Sequence, residues 1–333
     1  HYRSSRSAEA VQSLKGLLAA NQPDMLKAEA NLFLAMALHT QDREQAKQCL
    51  RTARAAIFAE CPQAARGSFP GGWQEWFKAF AVYPAAVELV EGIDRATARQ
   101  ELQALLKTNI MPVPEAIDVL GRAMTRVPDV ESLLCARANL LARQGRWSEA
   151  ADDLDAAIRQ NKSNHWAWMS CATALRAIDV RRFQDCCRSM TLQFAGSSDS
   201  LAQARLIEAC QLHSEGCKDW PATSQLSEQL LQRIGPSAHF QVMAGLACYR
   251  AGRHDDAIGH LAWAQSVPKH DFGSAKALFA LALCYRAAGK TSQAQACVQQ
   301  GEQVLAQVFP TAAAGDYGPS WRDWLVCDLL RRE

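Results

Sequence analysis

Two stretches of this chain, residues 9–80 and 256–328, are versions of one another, and that duplication limits the possible folds more than any other feature. Ala10-Val11-x-x-Leu14 matches Ala257-Ile258-x-x-Leu261, and Leu32-Phe33-x-Ala35-x-Ala37 matches Leu278-Phe279-Ala280-Leu281-Ala282. Further on, Ala46, Cys49, Trp73 and Trp76 align on Ala294, Cys297, Trp321 and Trp324. Such repetition marks architectures in which no unit buries its apolar face alone and neighbours stack into a continuous core. It predicts a binding scaffold before it predicts an enzyme.

Segments rich in Ala, Leu, Gln, Glu and Arg carry apolar residues at helical spacing and alternate with short turns holding Gly, Asp or Pro. Alternating β-branched runs are scarce, so the chain reads as helical throughout. Pro128, Pro236, Pro268 and Pro310 fall near expected helix ends, where a missing N–H does least harm. In residues 131–164, Leu134, Ala138, Leu141, Gly145, Trp147, Ala150, Leu154 and Ala157 take the large and small positions of a 34-residue helix pair. This resembles a tetratricopeptide (TPR) repeat. Residues 238–270 and 275–308 fit the same frame, 165–198 and 27–60 fit it more loosely, and 201–236 and 94–128 match in helix pattern alone.

The resemblance implies an all-α, right-handed α-solenoid, a TPR superhelix of antiparallel helix pairs whose first helices line a concave groove. The duplication divides it into a first block at 1–92 and a second at 93–333. The first holds an incomplete hairpin, one repeat and a Trp-x-x-Trp helix acting as a joint. The second holds about six helix pairs and a closing Trp-x-x-Trp helix at 318–333. That closing segment, Gly315-Asp316-Tyr317-Gly318-Pro319-Ser320-Trp321-Arg322-Asp323-Trp324, runs into Leu329-Leu330-Arg331-Arg332-Glu333. It is similar to the end of TPR regions in large bacterial proteins that often carry a Ser/Thr protein kinase domain. Each Trp pair is expected to cap an exposed hairpin face, with a docking face as the alternative. Because the first helix lacks its partner and the chain begins on His1, it reads as a piece of a longer polypeptide.

In the family's frame the groove-facing residues are Asn139, Arg143, Trp166, Thr173, Arg176, His239, Tyr249, Arg250, Lys276 and Arg286. An arginine recurs near the end of each of four first helices. Planar guanidinium groups capture carboxylates or phosphates bidentately, so the expected partner is a protein or peptide, with acidic or phosphorylated segments favoured. The competing explanation is that cations in a last helical turn complement the macrodipole whether or not anything binds. The groove lysine of the chaperone-tail clamp would fall at Cys135, although Asn139 matches that clamp's asparagine, so that tail is not expected here. Three rivals remain: a ligand-sensing domain with a pocket of Trp166, His239 and Tyr249, an enzyme on a helical toroid, and self-association through the incomplete first hairpin.

Composition narrows the partners further. Acids and bases are nearly balanced at a net charge of +2 and no basic run occurs, which disfavours nucleic acid. No apolar run approaches the ~20 residues of a membrane span. The twelve cysteines mostly sit among Ala and Leu at helical spacing, as small hydrophobes, which suits a reducing cytoplasm. Cys186-Cys187 reads as one buried and one lateral thiol.

Motifs for chemistry are thin. Gly289-Lys290-Thr291 lacks both the preceding strand and the first glycine of a phosphate loop. Cys210, His213 and Cys217 could share a helix face, but Gly216 should break that helix and no fourth ligand is evident, so no metal is expected. Asp152, Asp153 and Asp155 read as a solvated face, and Asp255-Asp256 as a favourable helix start. No catalytic constellation and no cofactor site is expected, and the chain is read as non-enzymatic.

Overall fold

The computed structural model describes residues 7–20, 22–64, 73–127, 130–267, 271–308 and 315–333. Every regular element among them is helical, so the all-α expectation holds. The chain divides into two compact units, 1–140 and 141–333. The 92/93 boundary drawn after the first copy of the duplication lies inside the first unit. Pro128, Pro268 and Pro310, and the Gly/Pro loop before Trp73, lie outside the described residues.

The first unit contains α1 (Ser7–Ala19), α2 (Asp24–Leu38), α3 (Arg43–Ala64), α4 (Trp73–Glu91), α5 (Arg95–Leu106) and α6 (Val113–Arg126), and α7 (Glu131–Arg143) carries the boundary. Small residues on α2 and α3, such as Ala28, Ala35, Ala46 and Ala53, are buried and let the helices approach closely around Leu32, Leu50, Ile57 and Phe58. Trp76, the second residue of the inner Trp-x-x-Trp motif, is buried and stacks on Phe80 with ring centroids 4.8 Å apart. A charged network ties α4 to its neighbours. The nearly buried Arg54 donates to Tyr83 Oη at 2.8 Å and to Glu91 at 2.6 Å, while Arg126 of α6 reaches Glu101 of α5 at 3.1 Å. Burial drives the Tyr83 hydroxyl well above its ordinary value, so the phenol stays protonated between these charges. Arg126 also reaches Glu91 at 3.7 Å, and Tyr83 Oη donates to Glu101 at 3.5 Å, so the network joins helices on both sides of position 92. That is the physical reason why the unit does not end there.

The second unit is a run of antiparallel pairs: α8 (Trp147–Gln160), then α9 (His165–Ile178) with α10 (Val180–Phe194), α11 (Ser200–Cys210) with α12 (Trp220–Ile234), α13 (Ala238–Arg250) with α14 (His254–Ser266), and α15 (Phe272–Ala287) with α16 (Thr291–Val308). The last helix is α17 (Trp321–Arg332). The first helix of each full pair begins at a side chain that accepts backbone N–H groups: Asn164, Asp199, Ser237 and Asp271. Such caps satisfy donors that a helix start otherwise leaves open. Within three hairpins the turn is made by Gly145, Gly252 and Gly289, at φ of 72°, 76° and 71°, a region that L side chains adopt at a cost. Gly289 is thus a turn glycine and no part of a phosphate loop.

Three sequence readings are corrected. Cys186 and Cys187 are both buried, because α10 is covered on two sides, Cys186 facing Cys171 of α9 and Cys187 facing Cys210 of α11. Asp153 is buried among its acidic neighbours, of which Asp152 is held by Arg182 at 3.0 Å and Asp155 by Arg159. The helix holding Cys210 ends at that residue, before Gly216 is reached. A short 3-10 turn, Ser214–Gly216, follows it.

Candidate functional site: the inner face of the second unit

The first helices α9, α11, α13 and α15 form one face of the second unit, and α17 lies along it, packed on α9 and α15. Apolar contact seats the helix: Trp321, Leu325, Val326, Cys327 and Leu330 are all buried. The Trp321 ring meets Trp147 at 5.8 Å, and Tyr317, in the preceding loop, meets Trp147 at 5.3 Å and Trp324 at 4.3 Å. Tyr317 also donates its backbone N–H to Arg143 O at 2.7 Å, beside Gly145. A Cβ on Gly145 would come within 3.1 Å of the Tyr317 ring, so this glycine serves both the turn and the loop laid against it.

Charge pairing fixes the register. Arg143 grips Asp316 bidentately, Nε to Oδ1 at 3.0 Å and Nη2 to Oδ2 at 2.6 Å. Lys276, almost enclosed, holds Asp323 at 2.7 Å. Arg250 pairs both Nη nitrogens with the Glu333 carboxylate and donates to Gln211 O at 3.1 Å, while Arg286 donates to the main-chain oxygen of Glu333 at 2.7 Å. The hydrogen bond from Arg143 holds the Asp316 carboxyl below its ordinary range. For Glu333 burial pushes upward, and the Arg250 bond outweighs it to leave the carboxyl lowered. The Leu-Arg-Arg ending has a local purpose too: Arg331 and Arg332 pair at 2.7 and 2.6 Å with the buried Asp328, one and one-odd turn back on the same helix.

Of the residues read as groove-facing, Arg143, Arg250, Lys276 and Arg286 thus meet the chain's own C-terminal segment. Arg176 donates to Leu212 O at 3.2 Å beside Glu333. Trp166 is 46% exposed, with the guanidinium groups of Arg205 and Arg322 at 3.9 and 4.7 Å from its ring centroid. His239 turns Nε2 toward Glu208, which also takes Arg205. Burial would raise the Glu208 carboxyl, yet His239 and Arg205 together leave it lowered to about 2. Tyr249 lies under the Arg250 guanidinium, 5.4 Å from ring to carbon. Two residues face elsewhere. Thr173 is fully buried and donates to Met169 O at 2.8 Å, and the Asn139 amide donates to Cys135 O at 2.9 Å, each one turn back on its own helix.

Sequence reasoning missed Glu208, Arg205, Arg322 and the acidic residues of the last segment as parts of this face. Their signal was charge complementarity: Asp316, Asp323 and Glu333 recur along one short segment opposite a recurring Arg/Lys set. Trp321, whose accessibility separates a cap from a docking face, is 1% exposed. It covers inner helices, not merely the end of the last hairpin.

Cys210, His213 and Cys217, which could share a helix face in the sequence, have separate surroundings in the structure. His213 Nδ1 accepts from Glu215 N at 3.1 Å, and Cys217 Sγ lies 3.1 Å from Thr223 Oγ1. A different trio, Glu228, Cys248 and His260, places its ligand atoms within 4.8 Å of one another. Arg253 already holds both Glu228 oxygens, at 2.9 and 3.1 Å, so an ion pair explains that carboxylate's position. All twelve cysteines are free thiols. Among the described residues, no helix is long and apolar enough to cross a membrane.

A family model for the N-terminal domain of the ESX-1 type VII secretion system protein EccA1 matches residues 225–314. Among solved structures the chain is similar to a tetratricopeptide repeat protein from Parabacteroides merdae, with 11% identity, 81% of this chain and 98% of that chain covered, and a TM-score of 0.47. It is similar as well to a chain of the APC/C hetero-tetramer Cut9-Hcn1 (13% identity, 91% and 62% covered, TM-score 0.46) and to yeast Tom70 (13%, 94% and 64%, 0.38). It spans less than two thirds of the length of the latter two. No curated protein matches the sequence.

Proposed function

We propose that this chain is a protein-interaction scaffold whose second unit recognises an acidic, aromatic-bearing helical segment on its inner face, and that α17 occupies that face in cis. The observation that carries this reading is the threefold pairing of Asp316 with Arg143, Asp323 with Lys276, and Glu333 with Arg250 and Arg286. An amphipathic helix laid into a helix-lined groove is a recurrent mode of recognition, in which buried aromatic anchors supply affinity and charges supply register. A partner segment with the same chemistry would compete with α17. The role proposed is recognition, not catalysis, within a larger bacterial protein in the cytoplasm, and a kinase-bearing or secretion-system setting is the context to examine first. The match to the EccA1 domain model supports the second of these settings.

The test uses a fluorescent peptide of residues 315–333 added in trans. The Asp316→Lys/Asp323→Lys/Glu333→Lys chain should bind it saturably, and wild type should bind on the order of tenfold or more weakly, as expected when charge-assisted pairs already fill the site. Reversing Arg143 and Lys276 to Glu in the triple variant should abolish binding. Equal binding to all three chains, or none to any, contradicts the reading.

A further inference from the structure

We propose that the half-open cavity between α17 and the inner helices is a binding site for a small organic monoanion: a carboxylate carried on a compact apolar body. The cavity holds about 220 Å³, room for about seven waters or one small organic molecule of similar bulk. Met169, Val242, Met243, Leu246 and Val326 supply its apolar lining. The rest of the lining is mostly charged, and its pairing is unequal.

Three fixed cations, Arg205, Lys276 and Arg322, stand against two carboxylates, Glu208 and Asp323. Glu208 takes Arg205 and faces His239, and Asp323 takes Lys276. Arg322 meets no carboxylate within ion-pair distance among the described residues. Its Nη1 donates to Ser170 Oγ at 3.1 Å, and its guanidinium lies 4.7 Å from the Trp166 ring centroid. A half-buried guanidinium without a directly paired carboxylate is costly, and although Asp323 and Glu208 act on it from a distance, burial holds Arg322 below its ordinary pKa. Arg322 touches α9 through Ser170 and Trp166, but the ion pairs that anchor the segment are made by Asp316, Asp323 and Glu333.

The unmatched charge selects the ligand class. A carboxylate presents two coplanar oxygens that match the guanidinium fork and neutralises one charge. A phosphate monoester would carry nearly two charges into a wall that already contains Glu208 and Asp323. The body of the ligand would rest on the Met and Val wall and the Trp166 ring. Because Arg322 and Asp323 sit on α17 while Arg205 and Glu208 sit on α11, bound anion would hold α17 in place by mass action. This site needs α17 seated, so failure of the peptide exchange described above leaves it standing.

Phenylacetate is a suitable probe, with phenylacetamide as its uncharged counterpart, each titrated into the full chain by calorimetry and by thermal unfolding. Phenylacetate should raise the unfolding midpoint saturably and change Trp fluorescence, and phenylacetamide should bind roughly tenfold or more weakly. Arg322→Gln should erase that preference while unfolding at the wild-type midpoint or above, and Arg322→Lys should keep a weakened preference for the acid. Equal binding of acid and amide, or no binding of either at millimolar concentration, overturns the proposal. So does an Arg322→Gln chain that unfolds several degrees lower while still distinguishing acid from amide.

Discussion

Gly245 sets two residue-scale effects against each other. In the interior of α13, exchanging glycine for alanine ordinarily gains about 1 kcal/mol of helix propensity. Here a Cβ would stand 2.6 Å from Leu261 Cγ and 3.3 Å from Ala257 O, which forces α13 and α14 apart. Overpacking of this kind costs about 1–3 kcal/mol, so packing outweighs propensity and Gly245→Ala should lower the unfolding midpoint. Gly259 in α14 has nothing within 4 Å of its would-be Cβ, and Gly259→Ala should raise the midpoint. Thermal denaturation of the two variants checks both signs. Glu208 gives a pH prediction at the same scale. Its carboxyl is depressed from an ordinary 4.5 to about 2, so the stability it contributes is fully present above about 4.5 and is lost as pH falls toward 2. Denaturant titrations across that window should show a shallower acid loss for Glu208→Gln than for wild type. An unchanged slope would mean that the carboxylate is not ionised against Arg205 and His239.

Elements inherit their behaviour from such contacts. Arg54 joins α3 to α4 through Tyr83 and Glu91, and removing one member of a buried pair strands the others. Arg54→Ala should therefore cost about 3 kcal/mol, read from denaturant midpoints, whereas Arg51→Ala, at an exposed position on the same helix, should change little. Helix α10 offers a chemical check: Cys186 and Cys187 are buried on its two covered sides, and burial with their thiol neighbours drives both pKa values up. Alkylation followed by mass spectrometry should label the half-exposed Cys217, Cys135 and Cys297 first, and reach the vicinal pair only with unfolding. The helix pairs themselves were readable in the sequence, because Ala138, Ala150 and Ala157 are the small buried positions and Gly145, Gly252 and Gly289 the turns that the frame requires. Helical periodicity says which side of a helix is apolar, but not which surface will cover it. That is why one thiol of the Cys186-Cys187 pair reads as lateral when both are buried, and why the Trp321 stripe reads as the end of a hairpin when it covers inner helices.

At the scale of the whole second unit, a face of first helices that the sequence offers to a partner is filled by the last helix of the same chain. Arg143 and Asp316 lie 173 positions apart, beyond the reach of any local pattern. Only the match between an acidic segment and a cationic ladder connects them in advance. A consequence is that affinity for an outside segment depends on how firmly α17 holds, since a competitor binds only the fraction of molecules in which the face is open. Hydrogen exchange across the chain measures that hold directly. Amides of residues 321–332 should be protected in wild type, and in the Asp316→Lys/Asp323→Lys/Glu333→Lys chain they should exchange on the order of tenfold or more faster, as loss of several charge-assisted bonds implies, while α13 to α16 stay protected. Protection of α17 unchanged by the three reversals, or absent already in wild type, would contradict an inner face held shut by the chain's own acidic segment.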